Sequence, residues 1–217
     1  MLTEAHRMLL VPKKPYLLGV TTATNTTTPI TLTMPRRQTG VLNIALIFRH
    51  VGGTAAPATP TGWTSLATST TAPAYRVAYK VFNGSEGPTT TSSATSATSM
   101  SAIVLSFAHA PTVSGPLHGG IATATSTTPN PGSFSPGTVG VWQTWIPYCA
   151  WNGSGSVTGY PNDIVQGWQV AQGTNGGCAA AIAPSTVIGT RDMNAFTLSA
   201  SLVNRAGVVL TNQFFIL

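Results

Sequence analysis

The stretch Ala74–Gly87, AYRVAYKVFNGSEG, decides how the rest of the chain is read. Tyr75, Val77, Tyr79 and Val81 fall on one parity, and Arg76 and Lys80 on the other. Successive side chains of a strand point to opposite faces, so this period of two predicts a strand with one apolar face. The pattern stops at Asn83-Gly84, a dipeptide suited to the positive φ angles of a tight turn. Upstream, LNIALIFR places Leu42, Ile44, Leu46 and Phe48 on one face in the same way. Downstream, SMSAIVLSF (residues 99–107) is almost continuously apolar, as a central strand covered on both faces would be.

The same reading extends to WTSLATST, SPGTVGVWQTWIPYCAW, IVQGWQVAQ and CAAAIA. AFTLSASL alternates Phe196, Leu198, Ala200 and Leu202 against Thr197, Ser199 and Ser201, and AGVVLTNQFFIL supplies a closing strand. Threonine, valine and glycine stand where a helix needs alanine, leucine, glutamate and lysine in period, so no helix is expected. About ten short strands over residues 41–217, with turn signals between them, predict an all-β, antiparallel jelly-roll-like β-sandwich. Two smaller stacked sandwiches divided near residues 125–138 are the alternative.

Residues 1–40 read differently. Pro12, Pro15, Pro29 and Pro35 punctuate a threonine-rich segment, which predicts an extended arm that adds short strands to a neighbour. Charge is concentrated there too. Residues 1–49 hold Arg7, Lys13, Lys14, Arg36, Arg37 and Arg49 against Glu4 alone, a net +5 of the chain's formal +6. Arg7, Lys13, Lys14, Arg36 and Arg37 are therefore the candidate residues for docking on an acidic partner surface, with a solvated tail as the plainer reading. Only 6% of the 217 residues are charged, far below the usual quarter, while 42% are hydrophobic. Sparse charge costs solubility, which suits a chain that spends its life assembled on a partner.

The chemistry-bearing residues are few. The carboxylates are Glu4, Glu86, Asp163 and Asp192, and only Asp163 with Asp192 offers a pair for acid–base work. His6, His50, His109 and His118 form no HxH or HExxH pattern, and His109 and His118 bracket a loop that predicts solvated rings. Cys149 and Cys178 form no CxxC, leaving either a disulfide or two buried thiols. No GxSxG elbow or phosphate-binding loop is present. The expectation is a protein with no catalytic set, no metal and no cofactor. Basic residues are too scattered for a nucleic-acid surface, and no apolar run of roughly 18 residues predicts a membrane span. The opening residues do not resemble a secretory leader.

Trp63, Trp142, Trp145, Trp151 and Trp168 are the remaining distinctive side chains. The densest aromatic group is WIPYCAWNGSGSVTGYPND, where Trp151 and Tyr160 edge a polar loop and form a candidate glycan-stacking pair. Core or subunit-interface packing is the competing reading of the same residues.

Over roughly residues 41–111 the sequence resembles a class of bacteriophage virion-associated β-proteins. The resemblance rests on the turn and strand Pro60, Gly62, Trp63 and Thr64. It continues through Tyr75, Tyr79, Lys80, Val81, Gly84 and Glu86, and then SMSAIVLSF. FTLSASLVNRAGVVLTNQFFIL is similar to the last two strands of that class. The resemblance implies a virion component assembled in the host cytoplasm, and it supplies no catalytic residues. The expected function is a capsid decoration or cement protein bound to the major capsid protein or other virion proteins, as a homo-oligomer with a trimer favoured. The alternative is a tail or head fibre protein with a glycan-binding loop region.

Overall fold

The computed structural model describes residues 16–52, 55–95, 99–108, 116–136, 142–162, 164–185 and 189–213. Among them are sixteen strands and no helix. The first seven are β1 (Leu17–Asn25), β2 (Ile30–Thr33), β3 (Leu42–Val51), β4 (Thr64–Ser69), β5 (Ala74–Val81), β6 (Thr89–Ser92) and β7 (Ser99–Phe107). Five more are β8 (Leu117–Ser126), β9 (Gly132–Phe134), β10 (Trp142–Asn152), β11 (Val157–Gly159) and β12 (Gln166–Ala171). The last are β13 (Gly176–Ser185), β14 (Arg191–Met193), β15 (Thr197–Leu198) and β16 (Leu202–Gln213).

Two five-stranded antiparallel sheets carry the fold, one in the order β1-β7-β3-β5-β4 and one in the order β12-β13-β10-β16-β8. They pack face to face. Leu42, Ile44, Leu46 and Phe48 of β3, with Ile103, Leu105 and Phe107 of β7, meet Ile146, Tyr148 and Ala150 of β10 and Cys178, Ala180 and Ile182 of β13. The parity read in LNIALIFR is the one that faces this core. Each fully buried leucine, isoleucine or phenylalanine here contributes about 1.5–3 kcal/mol by leaving water.

Strands β3 and β7 are buried along nearly their whole length, because their other faces are covered too. A two-stranded ribbon, β2 with β6, lays Ile30, Leu32 and Met34 on Ala45, Ile47, Ala102 and Val104. The second sheet is covered on its outer side by two ribbons. β9 with β14 packs Met193 on Trp145, Ala183, Val208 and Leu210. β11 with β15 packs Val157 and Leu198 on Cys149, Trp151 and Ala179.

Three sequence expectations change here. Residues 17–33 of the arm expected over residues 1–40 belong to the sandwich, because β1 pairs with β7 along its length and Ile30 and Leu32 of β2 are fully buried. The run ITLTMP has the same period of two as the other strands, and its partner β6 lies far along the chain. Residues 1–15, with Arg7, Lys13 and Lys14, lie outside the described residues. AFTLSASL keeps its alternation, with Phe196 and Leu198 buried, yet only Thr197–Leu198 forms a strand before β16 begins at Leu202. The chain passes from the first sheet to the second between Phe107 and Leu117, while residues 125–136 hold the end of β8 and the ribbon strand β9.

Candidate functional site

Several of the residues that carry the resemblance, Trp63, Lys80, Gly84 and Glu86, converge on one corner of the first sheet. Glu86 accepts the amides of Asn83 at 3.1 Å and Gly84 at 3.0 Å. Asn83 Oδ1 in turn accepts the Ser85 amide at 2.9 Å, an Asx turn that closes the loop on itself. Gly84 sits at φ +94, where a side chain would be strained and its Cβ would come 2.7 Å from Thr39 Oγ1. Lys80 Nζ lies 3.5 Å from Glu86 and 5.8 Å above the Phe82 ring. Burial opposes the charge on Glu86, but the Asn83 and Gly84 amides and the Lys80 ammonium hold its carboxyl below the usual range. Trp63 meets Phe82 edge to face at 6.3 Å. The spaced motif is thus a latch joining the end of β5 to the start of β4.

Two clefts flank this turn. One, of about 180 Å³, is lined by Met34, Trp63, Lys80, Glu86, Thr89 and Thr90 among others. An indole edge, a carboxylate, an ammonium and threonine hydroxyls around so small a space suit a single polyhydroxylated ring. The other is an open cleft of about 630 Å³ lined by Pro35, Arg36, Arg37, Gln38, Thr39 and Gly84. Its loop is held from below, since the Arg36 amide donates to Ser106 Oγ at 3.1 Å and the Arg36 carbonyl accepts from Asn43 Nδ2 at 3.3 Å. Thr39 Oγ1 donates to the Asn83 carbonyl at 2.9 Å and ties the cleft to the turn. Both Arg36 and Arg37 are exposed, and among the described residues neither has a carboxylate partner. The result is a firmly mounted cationic surface.

The aromatic candidates lie elsewhere and are not displayed. Trp151 is fully buried among Cys149, Val157, Ala179 and Phe196, and its Nε1 donates to the Gly155 carbonyl at 3.2 Å. Tyr160 packs edge to face on Phe196 at 5.9 Å and lies against Gly167, where an added Cβ would come within 2.5 Å of the ring. Trp151 is core, and Tyr160 is half-buried at the edge of the same cluster. The β11–β15 ribbon that covers Trp151 is built from distant segments, which is why the exposure suggested by the polar loop is lost.

The structure also places polar groups between the sheets. His50 continues the inward parity of Leu42 to Phe48, and its Nε2 lies 2.7 Å from Ser101 Oγ. Gly176 allows this: a Cβ there would come 2.8 Å from the imidazole and 2.3 Å from the Trp151 carbonyl. Burial pushes His50 down to about 4, against the raising effects of Asn152 and the Trp151 backbone. His118, expected in a solvated loop, is in β8, with Nε2 2.7 Å from the Tyr148 hydroxyl and the rings stacked at 5.9 Å. Burial pushes it to about 4 as well. Arg205 sits 5.4 Å over the Tyr75 ring beside this group.

Cys149 and Cys178 are free, buried thiols. They belong to opposite faces of the second sheet, Cys149 in the outer cluster and Cys178 in the inner one, so no disulfide joins them. Burial pushes the Cys178 thiol up to about 12 and the Cys149 thiol up too. Asp163, half of the expected carboxylate pair, lies outside the described residues, as does His109. No group of three or more histidine, cysteine, aspartate or glutamate side chains comes together among the described residues. No family model matches the chain, and neither the curated proteins nor the solved structures compared with it contain a match.

Proposed function

We propose that the chain is a structural component of a phage particle, a capsid decoration or cement protein that docks on an acidic face of the shell through Arg36 and Arg37. The observation that carries this reading is the cleft at Pro35–Thr39, where two exposed guanidiniums stand on a loop pinned to Ser106, Asn43 and Asn83. A backbone fixed in this way orders the loop before binding, so the attraction of its cations to an acidic partner is not spent on ordering the chain. Arg7, Lys13 and Lys14 add further positive charge in the N-terminal part of the sequence. The partner is the major capsid protein or another virion protein, and a trimer at a symmetry axis lets one acidic ring engage three such clefts. The resemblance of the Trp63–Glu86 latch to virion-associated proteins supports the same reading.

The test is co-sedimentation with particles from the chain's source. The double variant Arg36→Glu, Arg37→Glu is expected to stay folded and lose particle binding, and removal of residues 1–15 to weaken it. Undiminished binding of the double variant contradicts the reading.

A fibre protein with a glycan-binding site is the second reading, and the Trp63 cleft favours it in place of Trp151 and Tyr160. Glycan-array binding that Trp63→Phe weakens and Trp151→Phe does not is its expected signature. No binding to any glycan contradicts it.

A further inference from the structure

We propose that the chain is two copies of one seven-stranded unit in tandem, docked through their inner faces as the halves of a twofold pseudo-dimer. Each half accordingly presents an interaction surface whose fitting partner is another copy of the same unit.

The strand orders carry the inference. In the first half the large sheet runs β1-β7-β3-β5-β4, and the second and sixth strands pair as a separate ribbon. In the second half β11 and β15 pair only with each other. Without them the strands run β8, β9, β10, β12, β13, β14, β16. The large sheet is then β8-β16-β10-β13-β12, which is again first, seventh, third, fifth, fourth. The separate ribbon is β9 with β14, again second with sixth. Two unrelated antiparallel sheets have many available orders, and consecutive strands are usually neighbours, so a shared non-sequential order with a shared ribbon is a strong coincidence to leave unexplained.

Other features repeat with it. Matching strands begin a nearly constant step apart: Leu17 and Leu117, Ile30 and Gly132, Leu42 and Trp142, Ala74 and Gly176, Thr89 and Arg191. The first strand of each half carries a register irregularity against the last, near Leu17–Gly19 and opposite Ala206–Val208. In each half the ribbon covers the outer face of its own sheet. The sequence keeps a trace as well, since GVTTATNTTTP (residues 19–29) parallels GIATATSTTP (residues 120–129).

The contacts between sheets keep part of that symmetry, although among the described residues β13 against β3 and β7, and β12 against β7, have no exchanged counterpart of comparable extent. β1 lies against β12 and β4 against β8, and an exchange of halves turns each of these contacts into the other. β3 lies against its own counterpart β10, which places the pseudo-axis between them. β11 and β15 lie in connections that the first copy crosses with almost the same number of residues, so they are strands formed in place in the second copy, where they cover the cluster around Trp151.

The test is a circular permutant of the full chain. Its new ends lie between Ala108 and Pro116, and a flexible linker joins the original ends, so that the order of the two halves is exchanged. The expected result is the parent's near-ultraviolet circular dichroism and one cooperative unfolding transition near the parent midpoint. A permutant without fixed tertiary signal overturns the proposal. A crystal structure gives an independent measurement: Leu17–Phe107 should superpose on Leu117–Gln213 strand for strand by a rotation close to a half-turn. Strands that overlay only out of chain order, or a rotation far from a half-turn, overturn it even if the permutant folds.

Discussion

The two inner faces of the sandwich are built from different materials. The first sheet presents Leu42, Ile44, Leu46, Phe48, Ile103, Leu105 and Phe107. The second presents Ala150, Cys178 and Ala180 among only a few large side chains, Ile146, Tyr148, Ile182 and Val209. Large residues on one face fill the space that small ones leave on the other, as close packing between two layers requires. Gly207 sharpens the point, since a Cβ there would come 2.6 Å from the Tyr148 hydroxyl. The difference teaches that the bulky face supplies most of the apolar area, while the small face sets how closely the sheets approach. The two should therefore fail in opposite ways, one by leaving a cavity and the other by overpacking.

The largest effect is expected on the bulky side. Phe48→Ala removes a fully buried ring that touches Tyr75 and Tyr148, and should cost about 3–5 kcal/mol in urea unfolding. A loss under 1 kcal/mol breaks the contrast.

Acid comes next, because one imidazole, His50, is buried and a second, His118, is half-buried. A histidine whose folded value is about 4, against 6.5 unfolded, binds more protons in the unfolded chain. Stability should therefore be intact above pH 6.5, fall as the pH drops toward 4, and level off below. The loss is on the order of 3 kcal/mol for His50 and smaller for the less buried His118. Urea midpoints measured from pH 7 to pH 4 check this, and a flat profile contradicts the burial of both rings.

On the small side, Ala180→Leu adds volume where none is free and should cost about 1–3 kcal/mol. Stabilisation by this substitution would reveal an unfilled gap between the sheets. The smallest effect on folding belongs to the arginine cleft. Arg36→Glu with Arg37→Glu should leave stability within about 0.5 kcal/mol of the parent, because both side chains are exposed. A larger loss in urea unfolding would mean that these guanidiniums support the fold.

The contrast between the faces also explains what the sequence revealed. β3, β5 and β7 are legible because leucine, isoleucine, valine and tyrosine mark the period of two unmistakably. His50 sits at the next inward position after Phe48, but the strand pattern LNIALIFR stops at Arg49, so its burial is missed. β13 is half legible: the run CAAAIA signals a strand, but alanine on both faces hides which side is inward. β1 and β2 read as an arm because threonine and proline dominate there and their partners β7 and β6 lie far along the chain. The exposure of Trp151 could not be read, since the β11–β15 ribbon that covers it is assembled from non-adjacent residues. At the candidate site the latch residues were visible as a motif, and Arg36 and Arg37 as a doublet. The turn at Asn83-Gly84 was visible too, but the tether from Thr39 to Asn83 that sets the two clefts side by side was not, because it joins residues far apart in the chain.

The decisive measurement is a cryo-electron microscopy map of intact particles from the chain's source. The expected result is a two-sheet density on the particle with the Pro35–Thr39 loop turned toward an acidic surface of a neighbouring protein. Particles that lack the chain altogether, or hold it with Arg36 and Arg37 facing solvent, contradict a docking role for this surface.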